Sequence, residues 1–304
     1  MLRRSYDKEI ARLREAIGGA DAIVVGAGAG LSTAAGLTYA GKRFERLFGD
    51  FIEKYGIRDM YSGGFFPFPA PEEQWAWWSR HIWCNRYEEA PKDTYGKLLR
   101  LLDGKDFFVI STNVDHQFRL AGFPKERLFY TQGDYGLWQC CEPCHPETYD
   151  NYQLVRRMIE SQGFHIGDDG TLGAPEGTLA MTVPRELVPR CPECGKPLIM
   201  NLRVDGTFVE DRGWHEASRR YQRFIEEHRV GKVLYLELGV GENTPVIIKY
   251  PFWHATHSNA HATYACVNLG EAYAPAGIRK RSILLDEDID RALADLLDAM
   301  EMES

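Results

Sequence analysis

The sequence lacks the features that mark several common protein classes. No uncharged apolar run approaches the roughly 18 residues that a membrane-spanning helix needs, and there is no internal repeat or low-complexity tract. Residues 1–16 carry charges throughout, which predicts a helix and no signal peptide. Positive charge is also scarce: 36 Lys and Arg face 44 Asp and Glu, and the net charge of −8 disfavours binding to nucleic acid. We therefore expect a soluble, cytoplasmic protein that binds neither membranes nor nucleic acid.

The 304 residues suffice for two domains or for one large domain with an insertion. Short apolar segments that do not alternate with polar residues recur along the chain, with helix-like stretches between several of them. Such segments are typical of strands that are covered on both faces in a parallel sheet. They lie at residues 21–25, 107–111, 128–131, 233–238 and 262–267. The sequence therefore predicts an α/β fold, a Rossmann-like parallel sheet flanked by helices.

Two stretches depart from this pattern and predict insertions. Residues 136–215 are rich in Pro, Gly and Cys and predict a small zinc-binding module, whereas residues at about 44–92 predict a helical insertion. Tryptophans such as Trp75 and Trp78 in the second stretch fit the core of a helical subdomain better than a ligand wall. Residues 1–135 and 216–304, which include the helical insertion, would then form the Rossmann-like domain.

Five of the seven cysteines fall into two groups. Cys191 and Cys194 form a CPECG knuckle, and the upstream group contains Cys140, Cys141 and Cys144. Four thiolates make a closed tetrahedral zinc site with no open position for catalysis, so we expect structural zinc. The fourth ligand is either Cys140 or Cys141, and the ordinary CxxC spacing favours Cys141.

The glycine-rich turn GAGAG at residues 26–30 follows the first predicted strand. Glycines at this place let a pyrophosphate approach the backbone, or they allow tight packing of a strand against a helix. The usual dinucleotide fingerprint also needs an acidic residue about 20 residues further on. Asp50 follows an aromatic, basic stretch and does not fit, which disfavours a plain nicotinamide dehydrogenase.

Polar residues follow two of the predicted strands, as STNVDH at 111–116 and TQGD at 131–134. Open α/β sheets bind ligands at the carboxyl ends of their strands. Asn113 or Asp115 could instead cap a helix, but two polar strand ends that face one crevice favour a site.

Together these motifs resemble the sirtuin family, in the same order along the chain. Residues 28–37 are similar to its glycine loop and residues 111–115 to its TQNID motif, and the two cysteine groups match its zinc module. The family's spacing favours Cys140 as the fourth ligand, giving Cys140, Cys144, Cys191 and Cys194. The resemblance also implies a set of NAD contacts. They are Gly28, Ala29, Gly30, Ser32, Tyr39, Asn113, Asp115, Gln132, Gly239, Asn243 and Asn268.

The chain departs from deacetylating sirtuins where their chemistry depends on a base. Gln132 occupies the place of their catalytic histidine, and an amide can hydrogen-bond a ribose but cannot accept its proton. The Pro-Asp-Phe-Arg that follows their glycine loop is replaced by residues 38–41, which include Tyr39. This combination is similar to the macrodomain-linked, class M sirtuins.

That resemblance implies an NAD-dependent protein ADP-ribosyltransferase that releases nicotinamide. It further implies a lipoylated, glycine-cleavage-H-like carrier as the acceptor, and a macrodomain hydrolase that removes the mark. Asn113 would orient the ribose or exclude water, Asp115 would position the nicotinamide amide or the ribose, and Gln132 would bind the ribose hydroxyls. The alternatives are an NAD-dependent lysine deacylase and a catalytically silent NAD-sensing module.

Overall fold

The structure is a computed structural model that describes residues 2–173, 177, 179–242 and 245–301. The strands are β1 (Ala22–Ala27), β2 (Phe107–Ser111), β3 (Leu128–Tyr130), β4 (Gly133–Cys140), β5 (Tyr149–Asp150), β6 (His165–Ile166), β7 (Leu172–Gly173), β8 (Leu198–Leu202), β9 (Val233–Leu238), β10 (Thr263–Val267) and β11 (Ser282–Leu285). The α-helices are α1 (Leu2–Gly19), α2 (Ala29–Ala34), α3 (Lys42–Tyr55), α4 (Met60–Gly64), α5 (Pro71–Ile82), α6 (Thr94–Leu101), α7 (Gln117–Leu120), α8 (Tyr152–Ser161), α9 (Arg212–Glu227), α10 (Lys249–Ser258) and α11 (Ile289–Glu301). None of these helices is both long and apolar enough to cross a membrane.

Six strands form one parallel sheet in the order β11-β10-β9-β1-β2-β3. Every residue of β1, β2 and β9 is buried, because helices cover both faces of the sheet. Val25 packs into the core beneath α1, α6 and α11, whereas its neighbour Val24 packs into the core beneath α9 and α10. The predicted Rossmann-like α/β fold is therefore confirmed.

The carboxyl edge of this sheet is regular across all six strands. The first residue after each of five strands donates its backbone N–H to the carbonyl of the last residue of the neighbouring strand. These bonds run from Thr131 to Ser111 (2.9 Å), Thr112 to Ala27 (3.0 Å), Gly28 to Leu238 (3.0 Å), Gly239 to Val267 (3.1 Å) and Asn268 to Leu285 (3.1 Å). The turns that carry the predicted site residues consequently all begin along one edge.

The helical stretch and the cysteine-rich stretch pack around a shared core. Trp77 of α5 is fully buried against the rings of Phe48 and Phe51, and the same cluster includes Trp138 of β4 and Val155 of α8. β4 pairs antiparallel with β5 and β8 in a separate three-stranded sheet. The predicted core role of the tryptophans fits Trp75 and Trp83, which are buried, and Trp78 packs at the margin of the cluster.

Candidate active site and metal centre

A buried hydrogen-bond network joins the first turn to the loop after β2. The amide nitrogen of Asn113 donates to the Gly28 carbonyl (2.9 Å) and to the Ser32 Oγ (3.0 Å). The Ser32 hydroxyl donates to Asp115 Oδ2 (2.5 Å). Because Ser32 has a single hydroxyl hydrogen, the Tyr95 hydroxyl, 3.0 Å away, must be the donor in its contact with Ser32. The structure thus brings Ser32, Asn113 and Asp115 together.

The network fixes the orientation of the Asn113 amide. Both hydrogens of its nitrogen are used, one on Gly28 and one on Ser32. The Asn113 Oδ1 oxygen accepts no hydrogen bond from any described residue. The group of this side chain that is left to bind a ligand is therefore a hydrogen-bond acceptor.

Asp115 is a buried carboxylate, 6% exposed. Burial raises its pKa because the charged form loses water, while the Ser32 hydroxyl and the Gln117 backbone N–H partly oppose that rise. The positive charge of Arg86 also lowers the pKa, but burial dominates. A positive charge that developed close to Asp115 would therefore be stabilised in a region of low dielectric.

The glycines of the first turn lie against the backbone that follows β9. A Cβ on Gly28 would stand 2.6 Å from the Gly239 carbonyl oxygen, and one on Gly30 would stand 2.7 Å from the Gly239 Cα. Gly30 also donates its N–H to the Gly239 carbonyl (2.9 Å), and Gly239 itself has a φ of +63°. Close packing of the two turns thus accounts for these glycines without a ligand, and Ala29 remains exposed between them.

The asparagine that follows β10 contacts the loop after β9, against which the first glycine turn also packs. Asn268 is buried, and its side-chain amide donates to the Val240 carbonyl (3.2 Å). Gly28, Gly239 and Asn268 therefore stand in one row along the carboxyl edge. Asn243, the remaining predicted contact in this loop, lies outside the described residues.

Gln132 occupies the junction between the sheet and the cysteine-rich stretch. Its half-buried side chain contacts the Thr131 hydroxyl (3.4 Å), and its backbone carbonyl accepts from the N–H of Arg203 (3.0 Å). The next residue, Gly133, has a φ of +105° and leaves no space for a Cβ beside the Asn201 carbonyl. No hydrogen bond within the described residues joins Gln132 to Asn113, although β2 and β3 are neighbours.

Tyr39 lies apart from the hydrogen-bonded network. It packs against the core that the helical and cysteine-rich stretches share. Its hydroxyl is 2.9 Å from the Tyr135 hydroxyl, and its ring meets the edge of His81 at 5.5 Å. Burial, aided by the charge of Arg43, lowers the pKa of His81 to about 3, so this imidazole is neutral at neutral pH. Sequence reasoning missed Tyr95 and Tyr135, because each is an isolated tyrosine outside any motif.

Four cysteines form a cluster that fits zinc. The Sγ atoms of Cys140, Cys144, Cys191 and Cys194 all lie within 4.8 Å of one another, with Cys140 to Cys194 at 3.5 Å and Cys144 to Cys191 at 3.7 Å. Tetrahedral zinc with Zn–S bonds of about 2.3 Å would separate its sulfurs by about 3.8 Å. Cys141 is outside the cluster, so the structure favours Cys140, as the family resemblance does. Gly195, with a φ of +73°, closes the knuckle by donating to the Cys191 carbonyl (2.8 Å).

Comparison with known sequences finds two relatives, although no family model matches the chain. A protein ADP-ribosyltransferase from Staphylococcus aureus strain Mu50 is 38% identical over 291 residues, which cover 95% of this chain and 87% of that protein. A probable bifunctional ADP-ribose hydrolase/ADP-ribosyltransferase from Fusarium oxysporum f. sp. cubense is 31% identical over 251 residues. That match covers 78% of this chain but 38% of the fungal protein.

Comparison with solved structures finds Sir2 enzymes. Sir2Tm bound to a propionylated peptide and a Sir2 complex with a p53 peptide and NAD+ each have a TM-score of 0.56 and 16% identity. Both matches cover 96% of this chain and 98% of the other. A further Sir2 structure, from work on the mechanism and regulation of these enzymes, has a TM-score of 0.57 and 17% identity, and covers 98% of this chain and 100% of the other. At this identity the likeness shows the sirtuin fold.

Proposed function

The chain belongs to the sirtuin-type protein ADP-ribosyltransferases, and from that premise we propose that it transfers ADP-ribose from NAD to an acceptor protein and releases nicotinamide. The observation that carries the proposal is the buried network of Ser32, Asn113 and Asp115 at the carboxyl edge of the sheet, combined with glutamine at position 132. This pairing keeps the groups that can hold a ribose and omits the base that deacylation needs.

The row of turns along the sheet edge supports an extended position for NAD. The pyrophosphate would lie along the turn of Gly28, Ala29 and Gly30, with the adenosine end toward Gly239 and Asn268. The nicotinamide end would lie between Asn113 and Gln132. Three strands, β9, β1 and β2, separate the outermost turns of this row, which suits a dinucleotide better than a mononucleotide.

The network around Ser32 has a specific task in this proposal. Breaking the bond between nicotinamide and ribose develops positive charge on the ribose, so a fixed carboxylate nearby lowers the barrier. Asp115 is that carboxylate, and Ser32 holds it in place. The unused Oδ1 oxygen of Asn113 would accept from a ribose hydroxyl and orient the sugar for attack.

Glutamine in place of the catalytic histidine supports transfer over deacylation. Gln132 has no usable proton affinity. His116 does not replace it, because burial lowers the pKa of His116 to about 4 and its ring nitrogens face Asp134 (3.2 Å) and the Gly133 carbonyl (3.3 Å). The acceptor should therefore arrive ionised or intrinsically nucleophilic.

For the acceptor we propose a lipoylated, glycine-cleavage-H-like carrier protein in the cytoplasm, with a macrodomain hydrolase that reverses the modification. The resemblance to class M sirtuins supports this choice. The fungal relative supports the second half of it, because its name joins an ADP-ribose hydrolase and an ADP-ribosyltransferase in one protein. Zinc on the four cysteines would be structural.

The test is transfer of radiolabel from NAD to the lipoylated carrier, measured beside the unlipoylated carrier. Asn113→Ala should abolish labelling, whereas Gln222→Ala, which removes an exposed amide on α9, should leave it unchanged. Equal labelling by Asn113→Ala would remove Asn113 from the mechanism. Nicotinamide release driven by an acyl-lysine peptide would instead identify a deacylase. NAD binding without nicotinamide release under any condition would identify a sensing module.

A further inference from the structure

A cavity of about 420 Å³ lies along the open edge of the six-stranded sheet, away from the row of glycine turns. β3 is the edge strand, and Leu128 and Tyr130 of β3 line the cavity. The segment around α7 forms one wall, and the beginning of α9, with Trp214, forms the other. We name it the edge-strand cavity. The proposed NAD position ends between Asn113 and Gln132, and neither of these residues lines the cavity.

The edge-strand cavity is positively charged in a protein of net charge −8. Its lining contains four cationic side chains, Arg86, Arg119, Lys125 and Arg220, but only two carboxylates. The His116 ring is already engaged by Asp134 (3.2 Å) and by the Gly133 carbonyl (3.3 Å), so we leave it out of this count. The lining therefore has an excess of two positive charges.

Both carboxylates of the lining are already engaged. Asp134 pairs with Arg86 (2.7 Å) and accepts from the backbone N–H of Gly136 (2.6 Å). Asp211 caps α9 by accepting from the Trp214 N–H (2.7 Å), and it accepts from the Thr148 hydroxyl (2.5 Å). Neither is left to neutralise the other cations.

Among the described residues, the remaining cations of the lining make no ion pair and one hydroxyl has no hydrogen-bond partner. Lys125 and Arg220 make no ion pair with any described residue, and Arg119 donates only to the Phe123 carbonyl (3.1 Å). The Arg220 Nε and the Tyr130 hydroxyl are buried atoms without a hydrogen-bond partner among the described residues. Buried polar groups are normally satisfied, so these two donors would gain a partner if a ligand with acceptor oxygens entered beside them and their side chains shifted toward it.

We infer that the edge-strand cavity binds a small organic phosphate monoester. Guanidinium groups match the oxygens of phosphate, and the two charges of a monoester equal the excess of the lining. The ring of Tyr130, which stacks on His116 at 3.5 Å, and the indole of Trp214 would contact the organic part. A bare phosphate ion would leave most of the volume empty. This inference does not rest on the proposed transferase reaction.

Isothermal titration with phenyl phosphate, at constant ionic strength and without NAD, tests the site. The wild-type protein should bind phenyl phosphate more tightly than inorganic phosphate or the monoanion phenyl sulfate. Arg220→Met should weaken binding on the order of tenfold, the effect of losing one charge-assisted hydrogen bond. Arg219→Met is the matched control, because Arg219 is an exposed neighbour on α9 that does not line the cavity.

Two further variants separate binding from folding. Tyr130→Phe removes one hydroxyl and should weaken binding by a smaller factor. Arg220→Lys keeps the charge but loses the guanidinium fork, so its affinity should lie between those of the wild type and Arg220→Met. Unchanged binding by Arg220→Met, or an equal loss in Arg219→Met, would overturn the inference. Displacement of phenyl phosphate by NAD would also overturn it, because the probe would then lie in the NAD crevice. Failure here leaves the transferase proposal untouched.

Discussion

The two halves of this molecule use their buried residues differently. At the carboxyl edge of the sheet, small and polar side chains are buried and joined by hydrogen bonds, as in the network of Ser32, Asn113 and Asp115. In the core shared by the helical and cysteine-rich stretches, large rings such as Trp77 and Phe48 fill the volume. Two of the four clustered cysteines, Cys140 and Cys191, also belong to this core. The first half should therefore control chemistry, whereas the second should control stability. The predictions below test that division, in order of their expected effect on the free energy of unfolding.

Removal of the zinc ligands should destabilise the protein most. Cys140→Ser and Cys191→Ser should each abolish stoichiometric zinc and lower the melting temperature by more than Trp77→Ala does, because three ligands do not close a structural site. Zinc content by elemental analysis and thermal unfolding are the measurements. Cys141→Ser is the matched control and should keep its zinc. Loss of zinc from Cys141→Ser alone would show that the ligand set is wrong.

Truncation of the Trp77 side chain should have the second-largest effect on stability. Trp77→Ala removes a fully buried indole, and we expect it to cost about 3–5 kcal/mol of unfolding free energy in urea. Trp78→Ala removes the same side chain from the margin of the core and should cost less. The folded fraction of Trp77→Ala should keep its transferase activity. An activity loss beyond the loss of folded protein would break the proposed division.

Asp115→Asn should reverse the pattern, with a small effect on stability and a large effect on activity. Burial raises the folded-state pKa of Asp115, so its ionisation above that pKa costs stability, and the isosteric amide removes this cost. Transfer should nevertheless fall about 10²–10³-fold, because the fixed negative charge is lost.

The pH profile sharpens the same prediction. Wild-type activity should decline as pH falls through the pKa of Asp115, which lies above the ordinary value of 3.8. The residual activity of Asp115→Asn should lack that decline, and Asp298→Asn, an exposed substitution on α11, should retain it. Identical acid limbs in wild type and Asp115→Asn would remove Asp115 from the proposed mechanism.

The parallel sheet could be predicted from the sequence because its central strands are continuous apolar runs. β2 and β9 match the predicted segments at 107–111 and 233–238 residue for residue. β11 was not predicted from the sequence. It has four residues, which directly follow the basic run at 279–281, and this is too short a pattern to indicate a strand. The division into a Rossmann-like domain and a module at 136–215 stays a prediction. The core that the helical and cysteine-rich stretches share includes residues from both predicted insertions.

The candidate site, like the fold, could be predicted from the sequence only in part. Asn113 and Asp115 could be chosen because they follow a buried strand within one short motif. Tyr95 could not, since it reaches Ser32 only when α6 packs beside α2. The edge-strand cavity combines residues from α7, β3 and α9, and no local pattern in the chain indicates that they meet.

The sequence by itself determined the alternation of strands and helices, the polar strand ends, the cysteine groups and the missing histidine, because each depends on residues close together in the chain. Only the tertiary structure decided the order of the six strands, the choice of Cys140 over Cys141, the contact of Gly30 with Gly239, and the cations along β3. Those features depend on which distant segments the fold brings together. Burial then sets their energetics, as it does for the pKa of Asp115.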